Sequence, residues 1–254
     1  MTMGPPARWR EHFCFRHLAG IVLGVKAILW DMDGSLINTE PLWEIATYDV
    51  SEFVGRRLTP ELRLRCVGNT LRDTLTICAH HAGRPLDDEL FTAAATFLEQ
   101  RFAELVTAHG VQWRPGVVEI LQQAQQASLP VVLVTNTRRA VAQLCIDAMG
   151  PHYFHATVCS DEVAAGKPAP DPYLRGAELA GVDPGQCLAI EDSVTGVRSA
   201  LAAGCITLWN PMPEVGVPES ERARLVPPAL FVAGNMDRYT VENLRAAFAG
   251  TEQA

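Results

Sequence analysis

Two aspartates, separated by one residue, follow an apolar segment near the start of the chain. Asp31 and Asp33 come after residues 25–30, which are apolar except for Lys26, and Gly34 follows them. In an open α/β sheet, ligands bind beyond the carboxyl ends of the strands. Paired carboxylates have little structural use there, because burying them together is costly without a cation. The segment alone fits a solvated turn as well as a reactive site.

A second apolar run, residues 131–134, is followed by Thr135, Asn136 and Thr137. Hydroxyl and amide groups beside backbone N–H donors suit the binding of phosphate oxygens. An ordinary turn with a helix cap is the alternative for this run. A third apolar run, residues 188–190, ends in Glu191 and Asp192. An acidic first helical turn would explain Asp192, but not a carboxylate at the end of a buried strand.

One lysine lies in a segment whose backbone freedom is restricted. Lys167 follows Gly166 and precedes Pro168, with further prolines at positions 170 and 172. Proline biases the preceding residue away from helix and towards extended backbone, so this lysine is held on a stiff loop. The alternative is a solvated lysine in a surface loop.

If these segments share one edge of a sheet, four carboxylates and one amine converge there: Asp31, Asp33, Glu191, Asp192 and Lys167. Each like-charge pair about 4 Å apart costs about 4 kcal/mol at an effective dielectric constant of about 20. A divalent cation removes that repulsion, and oxygen ligands with a substrate phosphate favour Mg²⁺. The absence of nearby histidine or cysteine argues against zinc.

The elements that must position these groups alternate along the chain. The apolar pattern predicts strands at residues 27–30, 131–135, 187–191 and 206–209, with weaker strands at 155–159 and 230–232. Helical patterns lie between them at residues 116–127, 139–149, 172–180 and 195–203. Such alternation is typical of βαβ units, whose right-handed crossovers place all strand carboxyl ends along one edge. We therefore predict an α/β fold with a doubly wound, Rossmann-like parallel sheet.

Between the first strand and the rest of the sheet, the pattern is helical. Residues 41–54, 59–67, 70–82 and 87–108 predict four helices, with hinges near residues 37–41 and 111–115. We expect a helical cap domain at residues 39–113 and a core domain formed by residues 25–38 and 114–254. Residues 1–24 have no sustained periodicity and are expected to lie outside the fold.

The composition of the chain limits the kinds of partner and the cellular compartment that we expect for the protein. A net charge of −8 makes a nucleic-acid or anionic membrane surface improbable. Seven scattered cysteines without a Cys-x-x-Cys pair indicate reduced thiols in a cytoplasm. The apolar residues 18–25 are too short to span a bilayer. Arginines upstream of this segment resemble the charged start of a signal peptide. Cleavage after the segment would fall directly next to the strand that precedes Asp31, which argues against secretion.

All four motifs, in this order and over residues 25–245, resemble the haloacid dehalogenase superfamily. The branch they resemble comprises phosphatases and phosphomutases with a small helical cap. The segment that leads into the cap is similar to that of sugar-phosphate phosphatases of this branch: Asn38-Thr39-Glu40-Pro41-Leu42-Trp43. The resemblance implies a Mg²⁺-dependent phosphatase that acts on a small phosphomonoester, as a monomer or dimer.

The same resemblance implies roles for the motif residues. Asp31 would be the nucleophile that forms an aspartyl-phosphate, and Asp33 the general acid and then the base. Thr135 would hydrogen-bond the transferring phosphoryl group with Asn136 beside it, and Lys167 would neutralise its charge. The metal ligands implied are the carboxylates of Asp31 and Asp192, the backbone carbonyl of Asp33, and Glu191 directly or through water.

Specificity in this branch comes from the cap and hinge, which directs attention to polar residues of the insert. Glu40 and Arg72 are the predicted substrate-binding residues, and further candidates are Asn69, Thr70 and Trp43. Trp43 fits a wall of the cavity or a core anchor. His80 and His81 are expected on a cap helix away from the chemistry.

The chain departs from the family pattern at two places, and three other functions compete with the phosphatase. Ser35 stands where threonine is usual, and Thr137-Arg138-Arg139 stands where the family often has a run of small residues and proline. The two arginines fit either a contact with the substrate phosphate or a solvated helix start. A β-phosphoglucomutase-like phosphomutase is the main alternative, but those enzymes resemble one another in a histidine twelve residues after the nucleophile, where this chain has Trp43. A hydrolytic dehalogenase lacks the second aspartate and the metal. A non-enzymatic binding module would not need every catalytic position, and none is missing.

Overall fold

The computed structural model describes residues 24–67, 69–212, 219–225, 230–231 and 236–249. Its centre is a six-stranded parallel sheet in the order β3-β2-β1-β4-β5-β6. The strands are β1 Ala27–Trp30, β2 Val131–Val134, β3 Ala156–Val158, β4 Cys187–Glu191, β5 Ile206–Trp209 and β6 Leu230–Phe231. The predicted doubly wound parallel sheet is confirmed. The expected N-terminal extension lies, apart from Gly24, outside the described residues.

Register brings the ends of the central strands level. Trp30 at the end of β1 pairs with Leu133 in β2 and with Ile190 in β4. The residues that follow these three positions therefore leave the sheet along the same edge. This is the physical reason why motifs more than a hundred residues apart can form one site.

Helices cover both faces of the sheet. Alternate side chains of β1 point to opposite faces, so Ile28 and Trp30 join one apolar cluster and Leu29 joins another. The first cluster includes side chains from α5 (Val117–Gln126) and α6 (Arg139–Met149), and the second includes side chains from α7 (Asp171–Ala180) and α8 (Val194–Ala202). Burial of each large apolar side chain contributes about 1.5–3 kcal/mol. Two further helices follow, α9 (Glu219–Leu225) and α10 (Val241–Ala249).

The segment between β1 and β2 is helical, as expected. It contains α1 (Glu40–Val54), α2 (Pro60–Leu64), α3 (Leu71–His81) and α4 (Asp88–His109), of which α1, α3 and α4 pack on one another. Helix starts are capped by the side chains of Thr59, Thr70 and Asp87. The second helix is shorter than the predicted 59–67, because the chain turns after Leu64. The division into core and cap domains stays a prediction.

Both connections between the insert and the sheet run side by side. Ile37 and Trp113 form an antiparallel bridge, and the Asn38 N–H donates to the Gln112 carbonyl over 2.8 Å. These are the segments expected to be hinges. The pairing holds the entry and exit of the insert next to the carboxyl edge of the sheet.

Two further observations on the described residues bear on the sequence predictions. In the part of the chain that the structure describes, no helix has the length and apolar content needed to cross a bilayer. The six described cysteines are buried free thiols: Cys66, Cys78, Cys145, Cys159, Cys187 and Cys205.

Candidate active site

Three carboxylates meet at the carboxyl edge of the sheet. One oxygen each from Asp31, Glu191 and Asp192 lies within 4.8 Å of the others. The Lys167 ammonium donates to Asp31 Oδ1 and to Glu191 Oε1, both over 2.6 Å, and to the Val134 carbonyl over 3.0 Å. The convergence predicted from the strand ends is therefore present for these four charged side chains.

The cluster is buried, and its electrostatics reflect an excess of negative charge. Asp31 is 6% exposed, and burial together with the repulsion of Glu191 raises its pKa well above the ordinary value, although Lys167 opposes the shift. Burial and then Glu191 raise the pKa of Asp192 to about 8, with Arg114 opposing. Burial alone would lower the pKa of Lys167, but Asp31 and Glu191 raise it. Three oxygen donors beside one ammonium form a site that a divalent cation fits.

Lys167 is not the only side chain that contacts the Glu191 carboxylate. The Tyr173 hydroxyl donates to Glu191 Oε1 over 2.6 Å, and Ser193 Oγ approaches Oε2 at 3.4 Å. A Cβ at Gly196 would overlap the Glu191 carboxylate, so only glycine fits there. Sequence reasoning missed Tyr173, which follows the Lys167 loop but carries no signal that separates it from a core aromatic residue.

Asp33 lies beside the cluster, with its carboxylate turned elsewhere. Its Oδ1 accepts from Thr39 Oγ1 over 2.7 Å and from Trp43 Nε1 over 3.1 Å. Its Oδ2 accepts from Thr137 Oγ1 over 2.7 Å and from Thr135 Oγ1 over 3.3 Å. Four donors, two from the start of the insert and two from the end of β2, thus orient this side chain.

Two residues expected to contact the phosphoryl group have protein partners. Thr135 Oγ1 donates to Asp33 and accepts from the Thr137 N–H over 3.0 Å. Asn136 Oδ1 accepts from the Lys167 N–H over 2.8 Å, and its Nδ2 donates to the Lys167 carbonyl over 3.1 Å. Asn136 therefore fixes the backbone of the lysine loop. Substrate contact by Thr135 and Asn136 stays a prediction.

Gly34 and Arg114 support the backbone around the carboxylate cluster. Gly34 has φ +80°, and a Cβ there would overlap the Asp192 carboxylate. The buried Arg114 donates from Nη1 to the Gly34 carbonyl over 2.6 Å and to the Asn210 carbonyl over 3.0 Å. Sequence reasoning missed Arg114, whose only signal is its place directly before Pro115 in the predicted hinge.

A cavity of about 1030 Å³ opens above this cluster, between the sheet edge and the insert. Asp31, Asp33, Lys167 and Asp192 line its base. The cavity residues predicted in the insert also line it: Glu40, Trp43, Asn69, Thr70 and Arg72. His80 and His81 lie at the end of α3 and are not among the described residues that line the cavity.

The predicted cap residues each have a partner. Glu40 Oε1 accepts from Nη2 of Arg63 over 2.7 Å, and Arg63 is a buried cavity residue that sequence reasoning missed. The Arg72 guanidinium lies over the Phe91 ring, 4.2 Å from its centroid. These contacts place Glu40 and Arg72 at the cavity wall, and their contact with a substrate stays a prediction.

Comparison with known proteins identifies the class of hydrolase. Residues 25–204 match the family model for a haloacid dehalogenase-like hydrolase. Hexitol phosphatase A of Escherichia coli is 31% identical over 71% of this chain and 80% of its own length. The phosphorylated carbohydrates phosphatase of Thermotoga maritima is 33% identical over 73% of this chain and 85% of its own length.

Solved structures agree on the fold. A β-phosphoglucomutase from Clostridium difficile superposes with a TM-score of 0.73, at 16% identity, over 88% of this chain and 97% of that chain. At that identity the similarity shows the fold alone. The family match spans most of the described sheet and all four motifs, and the chain therefore belongs to the haloacid dehalogenase-like hydrolase family.

Proposed function

We propose that the protein is a Mg²⁺-dependent phosphatase that hydrolyses a small phosphorylated metabolite, a sugar phosphate or a similar phosphomonoester, through an aspartyl-phosphate intermediate. The observation that carries the proposal is the position of Asp31. Its buried carboxylate lies at the base of the cavity, where it accepts a hydrogen bond from Lys167 and lies beside Glu191 and Asp192. Two relatives at 31% and 33% identity bear the names of sugar-type phosphatases, which supports the substrate class.

The proposed reaction has two steps. An oxygen of Asp31 attacks phosphorus, the bond to the leaving oxygen breaks, and that oxygen takes a proton from Asp33. Water then attacks the phosphorus of the aspartyl-phosphate while Asp33 takes a proton from it, which releases phosphate and restores Asp31. Lys167 contributes positive charge at the attacked group, since phosphoryl transfer depends mainly on positioning and charge neutralisation. Thr135 is the proposed hydroxyl donor to the phosphoryl oxygens.

The metal ligands we assign are the carboxylates of Asp31 and Asp192 and the backbone carbonyl of Asp33. Glu191 would contact the metal through a water molecule, because its Oε1 already accepts hydrogen bonds from Lys167 and Tyr173. When bound, Mg²⁺ supplies positive charge to the phosphoryl oxygens and to the carboxylate cluster. We further propose that the substrates are small molecules. We place the protein in the cytoplasm, because the described cysteines are buried free thiols.

A screen for phosphate release tests the function. The protein with Mg²⁺ is incubated with sugar phosphates, nucleotides and small phospho-acids, and chelation should stop any release. Asp31→Asn should abolish turnover with unchanged circular dichroism, because the amide keeps the volume but is not a nucleophile. When the reaction with ³²P-labelled substrate is quenched with acid, the label should remain attached to the wild-type protein but not to Asp31→Asn. Unchanged hydrolysis by Asp31→Asn would overturn the assignment.

The same screen separates the phosphatase from the phosphomutase alternative. With glucose 1-phosphate and a catalytic amount of glucose 1,6-bisphosphate, a mutase forms glucose 6-phosphate without net release of phosphate. We expect net release of phosphate instead, because Trp43 stands at the position of the mutase histidine and donates to Asp33.

A further inference from the structure

A buried arginine at the exit of the insert contacts the backbone of two segments next to the carboxylate cluster. Arg114 is 5% exposed, and charged side chains are almost never buried to this extent unless they are paired. Its Nη1 donates to the Gly34 carbonyl over 2.6 Å and to the Asn210 carbonyl over 3.0 Å. Its backbone N–H donates to the Leu36 carbonyl over 3.0 Å. Arg114 therefore joins the turn after the nucleophile to the segment that follows β5.

Both segments contact Asp192 or its neighbour. Gly34 lies directly against Asp192, since a Cβ at Gly34 would overlap the Asp192 carboxylate. The Asn210 N–H donates to the Glu191 carbonyl over 2.6 Å, which fixes the backbone directly before Asp192. A shift of Gly34 or Asn210 would therefore change the position of the Asp192 carboxylate relative to that of Asp31.

The same contacts orient the turn that carries the proposed carbonyl ligand. In the part of the chain that the structure describes, no donor forms a hydrogen bond with the Asp33 carbonyl. The next carbonyl along the chain, that of Gly34, accepts from Arg114. Peptide planes are rigid and only two backbone angles separate neighbouring ones, so fixing the Gly34 carbonyl restricts the direction of the Asp33 carbonyl. Mg²⁺ demands near-ideal octahedral geometry, so its affinity depends on this direction.

We propose that Arg114 is a positioning residue for the metal ligands, which holds the Asp192 carboxylate and the Asp33 carbonyl in place through Gly34 and Asn210. The inference rests on the ligand set of the proposed function. The role is geometric, since the positive charge of Arg114 by itself would repel a divalent cation. Residues that orient metal ligands in this way contribute about 10–100-fold to metal affinity.

Isothermal titration calorimetry of the metal-free protein with MgCl₂ tests the inference without reference to turnover. Arg114→Met removes the charge and the side-chain hydrogen bonds but keeps an unbranched apolar stem. It should bind Mg²⁺ about tenfold more weakly than the wild type, because the ligands are no longer held. Arg114→Lys keeps the charge and a nitrogen with three donors on a shorter side chain, so it should lose about threefold.

Circular dichroism establishes which variants are folded, and affinities are compared among those. Wild-type affinity in Arg114→Met, or in Arg114→Lys if only that variant folds, would overturn the inference. Tighter binding by Arg114→Met would also overturn it, because the charge of Arg114 would then outweigh its contacts.

Arg84→Met is the control for loss of a guanidinium that donates to a backbone carbonyl. Arg84 Nη1 donates to the Val54 carbonyl over 2.9 Å within the insert, and Arg84 is not among the described residues that line the cavity. The control should keep wild-type Mg²⁺ affinity, and an equal loss in Arg84→Met and Arg114→Met would overturn the inference.

Failure of this inference and failure of the proposed function give different results. A wild-type protein that binds no Mg²⁺ would overturn the proposed ligand set and the role of Arg114 together. Mg²⁺ binding that depends on Arg114, in a protein that releases phosphate from no substrate, would support the role of Arg114 and overturn the phosphatase function alone.

Discussion

The indole of Trp43 joins the proposed general acid to two helices of the insert. Its Nε1 donates to Asp33 Oδ1 over 3.1 Å, while its ring stacks on Phe102 with the centroids 3.8 Å apart. Trp43 belongs to α1 and Phe102 to α4. The orientation of Asp33 therefore depends on how the insert packs, as well as on the sheet that carries it.

Trp43→Phe tests this coupling. Phenylalanine keeps an aromatic ring against Phe102 but cannot donate to Asp33, and a hydrogen bond to a charged group contributes about 1.5–3 kcal/mol. We expect kcat to fall about tenfold with a small change in KM, because orientation is lost more than binding. Trp113→Phe, whose ring packs on Tyr153, is the control. Wild-type kcat in Trp43→Phe would show that the bond has no positioning role.

Asp33→Asn tests proton transfer by the second aspartate. With an alkyl phosphate the leaving oxygen needs a proton, so turnover should fall by about 10²–10⁴-fold. With p-nitrophenyl phosphate the leaving group departs without one, so a burst of nitrophenolate should precede slow hydrolysis of the aspartyl-phosphate. Stopped-flow absorbance measures both phases. An alkyl phosphate turned over at near wild-type rate would remove Asp33 from this role.

The acidic cluster predicts how stability depends on pH and Mg²⁺. Burial raises the pKa of Asp31, and that of Asp192 to about 8, above the ordinary aspartate value near 4 that applies in the unfolded chain. A raised pKa contributes stability that is complete below about pH 4 and is lost as the pH rises towards 8. The contribution of these two carboxylates to the stability of the metal-free protein should therefore fall over this window.

Saturating Mg²⁺ should reverse that loss, since the metal binds the deprotonated carboxylates. We expect the Tm gain from Mg²⁺, measured by differential scanning fluorimetry against chelated protein, to be larger at pH 8 than at about pH 5. Asp192→Asn should reduce the gain at the higher pH. An equal gain at both pH values would contradict the electrostatic description of the cluster.

Tyr173→Phe tests the support of Glu191. The variant keeps the buried ring, which lies 5.2 Å from the Lys167 ammonium, but removes the hydroxyl that donates to Glu191. Loss of that donor to a buried carboxylate should lower the free energy of unfolding by about 1–3 kcal/mol, measured by urea denaturation. Tyr153→Phe, at a partly buried position near the hinge, is the control. Equal stability of Tyr173→Phe and wild type would show that the bond contributes nothing.

Much of the architecture follows from local sequence. The bounds of β1, β4 and β5 agree with the predicted strands, since short apolar runs between polar turns leave few other structures open. The convergence of Asp31, Glu191 and Lys167 was also predictable, because parallel strands place their carboxyl ends along one edge. The helix at residues 60–64 was predicted too long, since a turn at Cys66 carries no strong local signal.

The sequence by itself thus determined the sheet, the helical insert and the set of charged residues at one edge, because these depend on periodicity and on strand direction. Only the tertiary structure decided that Asp33 turns towards Trp43, that Tyr173 and Arg114 support the carboxylates, and that Glu99 meets Arg138. Each of those contacts joins side chains from different elements. Their geometry depends on helix packing and rotamers across the cavity, which no local pattern encodes.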